Sequence, residues 1–138
     1  MRCASVSNYI LCKIESGEDV MGKINEVLKT YSIQSGSILW AIGMMENVEL
    51  GYLKDKEYKK DKISDRMEVV SFHGTIAMDD PRIHAHVALA DEQHAVKGGH
   101  FFGGTANPLL EIEIQKFDGI TLKRKLNESS GLKELHIP

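Results

Sequence analysis

Five of the six histidines fall between Glu68 and Gly104, in the stretch EVVSFHGTIAMDDPRIHAHVALADEQHAVKGGHFFGG. The densest group is RIHAHVALA. In an extended strand alternate side chains share a face, so His84, His86 and Ala88 point one way while Ala85, Val87 and Leu89 point the other. The second set is apolar and reads as core. Two imidazoles at i and i+2 sit about 6.6 Å apart at Cα, close enough for both rings to converge on one ion. His100 offers a third nitrogen. It follows Gly98 and Gly99, which let a backbone bend tightly or approach another chain closely. Three neutral imidazoles suit zinc first, with copper, nickel or iron as alternatives. The competing reading is a hydrogen-bonded polar cluster, because H-x-H is a short pattern. His73 and His94, each isolated, read as hydrogen-bonded side chains. No fourth protein ligand stands out, which leaves an open position for water beside closure by a carboxylate or a neighbouring subunit. Glu68 is the candidate carboxylate for acid–base work beside a metal, and pairing with Arg66 or a subunit contact competes for it.

These residues need a scaffold, and 138 residues is the size of one compact domain, 1–138, with enough chain for a core. A net charge of −3 gives no electrostatic case for nucleic acid, which is normally bound by a surplus of Lys and Arg. Cys3 and Cys12 make no metal or redox motif. With no signal peptide and no apolar run long enough to span a bilayer, they read as reduced thiols in a cytoplasmic protein without membrane attachment.

SNYILCKIE alternates as a strand, with Ile10, Cys12 and Ile14 on one face. A helix follows, capped by Ser16, with Glu18 and Asp19 in its first turn and Val20, Met21, Ile24, Val27, Leu28 and Tyr31 at helical spacing. The run from Ile38 to Ile42, bounded by Gly36 and Gly43, reads as a strand buried on both faces with Trp40 in the core, and Val48, Leu50 and Tyr52 as its successor. KDKEYKKDKISD, with interleaved signs, is a solvated edge strand or hairpin. A strand runs from Met67 to Ala77, and Met78 to Arg82 turn. After the His84 strand come a short hairpin and a glycine-rich loop that matches neither a phosphate-binding nor a dinucleotide-binding pattern. LLEIEIQKF alternates, Asp118-Gly119 signals a hairpin, and ITLKRKL is the returning strand. The tail is a loop packing Leu132 and Leu135 on the body.

Taken together these stretches resemble the PPC domain, named for plants and prokaryotes, in its stand-alone prokaryotic form. SGSILWAIGMMENVELGY is similar to the family's glycine-bounded strand pair. RMEVVSFHGTI resembles its Arg-Phe-Glu-Ile-Leu-Ser-Leu-x-Gly signature, with Met67 in place of Phe. IHAHVALAD and VKGGH resemble its His-x-His and Gly-Gly-His elements, and LKRKLNESSGLKEL its closing Arg-containing strand and Gly-Leu-x-x-Leu tail. The resemblance implies an α/β (α+β) fold in which a curved, mainly antiparallel sheet packs against one principal helix, assembled as a homotrimer. It also implies a fold similar to that of acetolactate decarboxylase, where a comparable histidine cluster holds zinc. The family's plant members carry the domain beside AT-hooks and act as nuclear DNA-associated regulators, so the resemblance implies DNA as a partner. An AT-hook needs an Arg-Gly-Arg core for the minor groove, and this chain has none.

Two function classes follow. One is a trimeric, non-enzymatic module whose histidines hold a divalent metal, zinc first, in assembly or DNA-associated regulation. The other is a zinc-dependent lyase or hydrolase in which His84, His86 and His100 hold the ion at a site with an open position. The sequence specifies neither a small-molecule ligand nor a DNA site.

Overall fold

A computed structural model describes all 138 residues. The elements in chain order are β1 (Arg2–Val6), β2 (Tyr9–Glu15), α1 (Val20–Thr30), β3 (Gly36–Lys54), β4 (Glu57–Ile63), β5 (Met67–Ile76), β6 (Ile83–Ala90), β7 (Val96–Lys116), β8 (Lys123–Asn127) and β9 (Leu132–His136). The first seven strands form one antiparallel sheet in the order β1-β2-β7-β6-β5-β3-β4. β3 also pairs with β7, so β3, β5, β6 and β7 close into a ring. The expected curved antiparallel sheet with one helix is the architecture found.

Closure depends on the two long strands. β7 pairs with β6 through Val96–His100 and with β2 through Leu109–Gln115, while β3 accompanies much of its length through several register shifts. Such irregularities bend a strand and raise its twist, which lets one chain segment serve two walls of a strongly curved sheet. The glycine-rich segment expected as a loop is therefore strand. Gly98 and Gly99 are there for close approach: a Cβ on Gly98 would lie 2.6 Å from the Val87 carbonyl oxygen, and one on Gly99 2.7 Å from that of Gly51.

α1 begins later than Ser16 would predict. A turn carries the chain past Glu15, and Asp19 becomes the N-cap, its carboxylate accepting the Gly22 N–H at 2.6 Å. Glu18 lies just outside the helix, where it accepts the Glu15 N–H and pairs with Lys23. Val20, Ile24, Val27 and Leu28 are buried, and Tyr31 forms the C-cap. This stripe joins one continuous core with Ile10, Cys12 and Ile14 of β2 and the inward residues of the ring. Phe72 of β5 and Phe101 of β7 meet inside it with ring centroids 4.9 Å apart. Truncating either to Ala would cost roughly 3–5 kcal/mol by area and cavity, and Phe101 anchors the strand position next to His100.

Four further expectations are corrected. The Ile38–Ile42 run is buried on one face only: Ile38 and Ala41 enter the core, while Leu39, Trp40 (36% exposed) and Ile42 face out. It is also continuous with the segment of Val48 and Leu50, and Tyr52 is exposed. Composition records that a residue is apolar, not whether a neighbouring layer covers it. The Asp118-Gly119 turn does not start a hairpin, because both edges of β7 are already taken by β2 and β3 at that level; β8 pairs with β9 in a separate two-stranded sheet. The expected tail loop is thus a hairpin, with Leu132 and Leu135 half-buried. Finally, Cys3 and Cys12 are not thiols. β1 and β2 form a hairpin in which the two are direct register partners, Cα to Cα 4.1 Å, and they are joined as a disulfide. No helix is long and apolar enough to cross a membrane.

Candidate metal centre

β6 alternates as expected: Ala85, Val87 and Leu89 are buried, and His84 and His86 stand on the opposite face. β7 supplies the third ring, since His100 is the register partner of His86. One ring nitrogen from each of His84, His86 and His100 lies within 4.8 Å of the others. The Nε2 atoms of His84 and His86 are 3.3 Å apart. A tetrahedral ion with imidazole bonds of about 2.0–2.1 Å separates its donors by about 3.3–3.4 Å, so this pair already has the spacing of one coordination edge. The same distance also fits a hydrogen bond between two neutral rings. The donor set fits zinc by chemistry: three imidazoles, no carboxylate cage of the kind calcium requires, and rings held on paired strands.

A second layer surrounds His100. Tyr58 of β4 places its hydroxyl 3.3 Å from His100 Nδ1, and its ring centroid 4.6 Å from the imidazole. Phe102 packs against both, 4.6 Å from His100 and edge-on to Tyr58 at 5.1 Å. Lys60 lies over the Phe102 ring, 3.9 Å from its centroid. The aromatic walls bury much of the His100 ring, and this, followed by the charges that His84, His86 and Lys60 would present, pushes its pKa down to about 4. His84 moves in the same direction through burial first, then His86 and Arg124. Both rings are thereby kept in the neutral, ligating form near neutral pH.

His84 and His100 border a cavity of ≈ 470 Å³ with Tyr58, Phe102, Arg124 and Lys133 among its walls. Arg124 and Tyr58 were not singled out as site residues by sequence. Arg124 was legible in principle: it is in phase with buried Leu122 in the alternation of ITLKRKL, which puts a charge in an inward position. Tyr58 is the one aromatic in the charged edge strand.

Glu68 stands elsewhere. It is the register partner of Ala90, four residues along β6 from His86, and lines a different cavity with Asp65, Arg66 and Glu92. His73 lies across from His86, but its Nδ1 is 3.2 Å from Ser71 Oγ, so it is satisfied locally as expected. His94 is an exposed turn residue at φ 65 whose backbone N–H, rather than its ring, is hydrogen-bonded, to the Asp91 carbonyl.

The family model for the Plants and Prokaryotes Conserved (PCC) domain matches residues 1–118. Among solved structures, a plant- and prokaryote-conserved (PPC) protein of Pyrococcus horikoshii is 30% identical, with a TM-score of 0.82 over 94% of this chain and 93% of that one. A metal-containing protein of Archaeoglobus fulgidus is 28% identical, with a TM-score of 0.86 over 96% and 95%. The bifunctional protein GlmU of Synechococcus sp. (strain JA-3-3Ab) is 26% identical over 126 residues, 88% of this chain; the chain spans 19% of that relative's length.

Proposed function

The chain belongs to the Plants and Prokaryotes Conserved domain family, and from that premise we propose that it is a homotrimeric module holding one divalent metal, zinc by preference, on His84, His86 and His100, with an assembly or DNA-associated role. The observation that carries the metal is the convergence of three ring nitrogens within 4.8 Å. Support for the trimer comes from outward apolar side chains on two strands: Leu11 of β2, and Trp40 and Ile42 of β3, face solvent in the single chain on either side of β7, which presents Glu111 and Glu113 between them. On a net charge of −3, direct contact with DNA is at most weak and non-specific and is lost at physiological salt.

A second reading, a zinc-dependent lyase or hydrolase, is favoured by the cavity beside the triad. Its size suits a small molecule. A metal there would supply Lewis acidity toward water or a carbonyl. In this reading the nearest proton-transferring group is Tyr58 at His100 rather than Glu68, which borders the other cavity.

The deciding experiment is metal content by elemental analysis after mild chelation and zinc re-addition, for wild type, His86→Ala and His136→Ala. His136 lies on β9, where its ring meets Lys125, and serves as the control. One zinc per chain in wild type and His136→Ala with a large loss in His86→Ala is expected. No stoichiometric uptake by wild type, or equal behaviour of the two variants, would show the cluster to be structural.

A further inference from the structure

The cavity beside the triad is electropositive and contains an unusual arginine. Its wall carries Arg82, Arg124 and Lys133 against a single carboxylate, Asp80. Arg124 is only 7% exposed, and a charge so buried ordinarily has an ionic partner. It has none. Its Nε donates to the Pro81 carbonyl at 3.3 Å, and its Nη2 to the Thr75 carbonyl at 3.4 Å and the Thr75 hydroxyl at 2.9 Å. These acceptors are all neutral. The nearest acidic contact, the Asp79 carboxylate, is engaged by the Arg124 backbone N–H at 3.3 Å rather than by the guanidinium.

The remaining nitrogen, Nη1, has no protein partner, yet every fully enclosed side-chain polar atom in the protein is hydrogen-bonded. Nη1 is therefore not fully enclosed, and the open space that Arg124 lines is this cavity. Its position relative to the histidines is held by the sheet: Thr75, which anchors the guanidinium, is the register partner of His84. A planar donor group is thus fixed beside the triad with Nε and Nη2 satisfied by protein and Nη1 left for a ligand.

We infer that this cavity takes a small organic anion, a carboxylate or a phosphate ester, whose charged end is bound by Arg124 and whose other oxygens face His84 and His100. The second half of that statement rests on the metal reading above; the first half does not. A volume of ≈ 470 Å³ exceeds the needs of a simple ion, and Ile83, Phe102 and Leu132 give the carbon skeleton an apolar wall. Lys133, tethered to the Asp80 carbonyl at 3.1 Å, adds a second positive charge that is exposed to solvent.

The test is isothermal titration of malonate, of its uncharged isostere malonamide, and of inorganic phosphate into metal-free and zinc-loaded wild type, Arg124→Met and Lys133→Met. Malonate or phosphate is expected to bind wild type, and the preferred one identifies the class. Malonamide should bind at least about tenfold more weakly than malonate, and Arg124→Met should weaken the anion roughly ten- to hundredfold, the range for a charge-assisted hydrogen bond to a buried group. If Arg124→Met does not fold by circular dichroism, the malonate–malonamide contrast and a severalfold loss in Lys133→Met decide the question in folded protein. Absence of anion binding to wild type, equal binding of malonate and malonamide, or unchanged anion affinity in folded Arg124→Met would overturn the inference. Arg124-dependent binding that zinc does not change would leave it standing and count against the metal reading alone.

Discussion

The Tyr58 hydroxyl on β4 meets His100 Nδ1 on β7 at 3.3 Å, reaching across the intervening β3 at Gly51. A hydrogen bond at one ring nitrogen sets the tautomer and leaves the other nitrogen for an ion. Tyr58→Phe removes the hydroxyl and keeps the ring packed on Phe102. Zinc affinity, measured by competition with a chromophoric chelator, should fall roughly tenfold, while the thermal midpoint of the metal-free protein changes little. Equal zinc affinity in the two proteins would reduce the contact to packing.

The reach of Tyr58 depends on the residue it crosses. A Cβ on Gly51 would lie 2.5 Å from the Phe102 ring and 2.9 Å from that of Tyr58. Gly51→Ala forces at least one ring away from His100, at a cost of about 1–3 kcal/mol for overpacking. Chemical denaturation should show the loss, and near-ultraviolet circular dichroism should report the displaced tyrosine. Wild-type stability in this variant would mean that the aromatic layer yields freely.

Much of the site was legible because two simple rules apply to it. Strand alternation put His84 and His86 on one face, and adjacent glycines marked where His100 could approach. What alternation cannot state is strand partnership. Glu68 and His73 both stand on the outer face of β5, yet only the register, with Glu68 across from Ala90 and His73 across from His86, separates a residue of the triad's neighbourhood from one beyond it. Tyr58 was hidden for the same reason, since its contact with His100 spans three paired strands. The Asp118-Gly119 signal failed because turn chemistry describes a bend and not the availability of an edge to pair with. Trp40 was misassigned to the core because a hydrophobic run looks alike whether its second face meets a layer of its own chain or none.

The register of β1 on β2 makes a prediction about the cysteines. Cys3 and Cys12 are direct cross-strand partners joined as a disulfide, and closing a loop of nine residues' separation contributes about 2–3 kcal/mol in the chain-entropy account. Intact-mass measurement of non-reduced protein should find it lighter by two hydrogens than the reduced form. Cys3→Ser with Cys12→Ser should lower stability by up to that amount and leave zinc uptake unchanged, because β1 is remote from the triad in the strand order. Two alkylatable thiols in native protein purified without reductant would contradict the pairing.

Size bears on the outward apolar residues of β2 and β3. If Leu11, Trp40 and Ile42 are covered by other copies, light scattering on a sizing column should give about three times the 15.4 kDa chain mass, and Trp40→Glu with Ile42→Lys should shift it toward one chain. A monomeric wild type at micromolar concentration would refute the trimer while leaving the triad, which is built from β6 and β7 of one chain, untouched.

The histidines make a signed prediction about pH. An ordinary imidazole titrates near 6.5, but in the folded protein the His100 value is pushed down to about 4, by burial first and then by neighbouring positive charge. Between those values the unfolded chain takes up a proton that the folded chain refuses. Metal-free protein is therefore fully stable, in this respect, above about pH 6.5, loses stability as pH falls toward 4, and loses no more from this group below that. His84 is shifted in the same direction, and its larger exposure makes its contribution smaller through solvent screening. At the His100 donor, protons compete with zinc only as pH approaches 4. Denaturant midpoints in a chelator, compared at about pH 7 and about pH 5, should fall in wild type and fall less in His100→Gln, which cannot take the proton. The same drop in both proteins would assign the pH dependence to other groups, His84 among them, and would remove the argument that this fold holds His100 neutral for a metal.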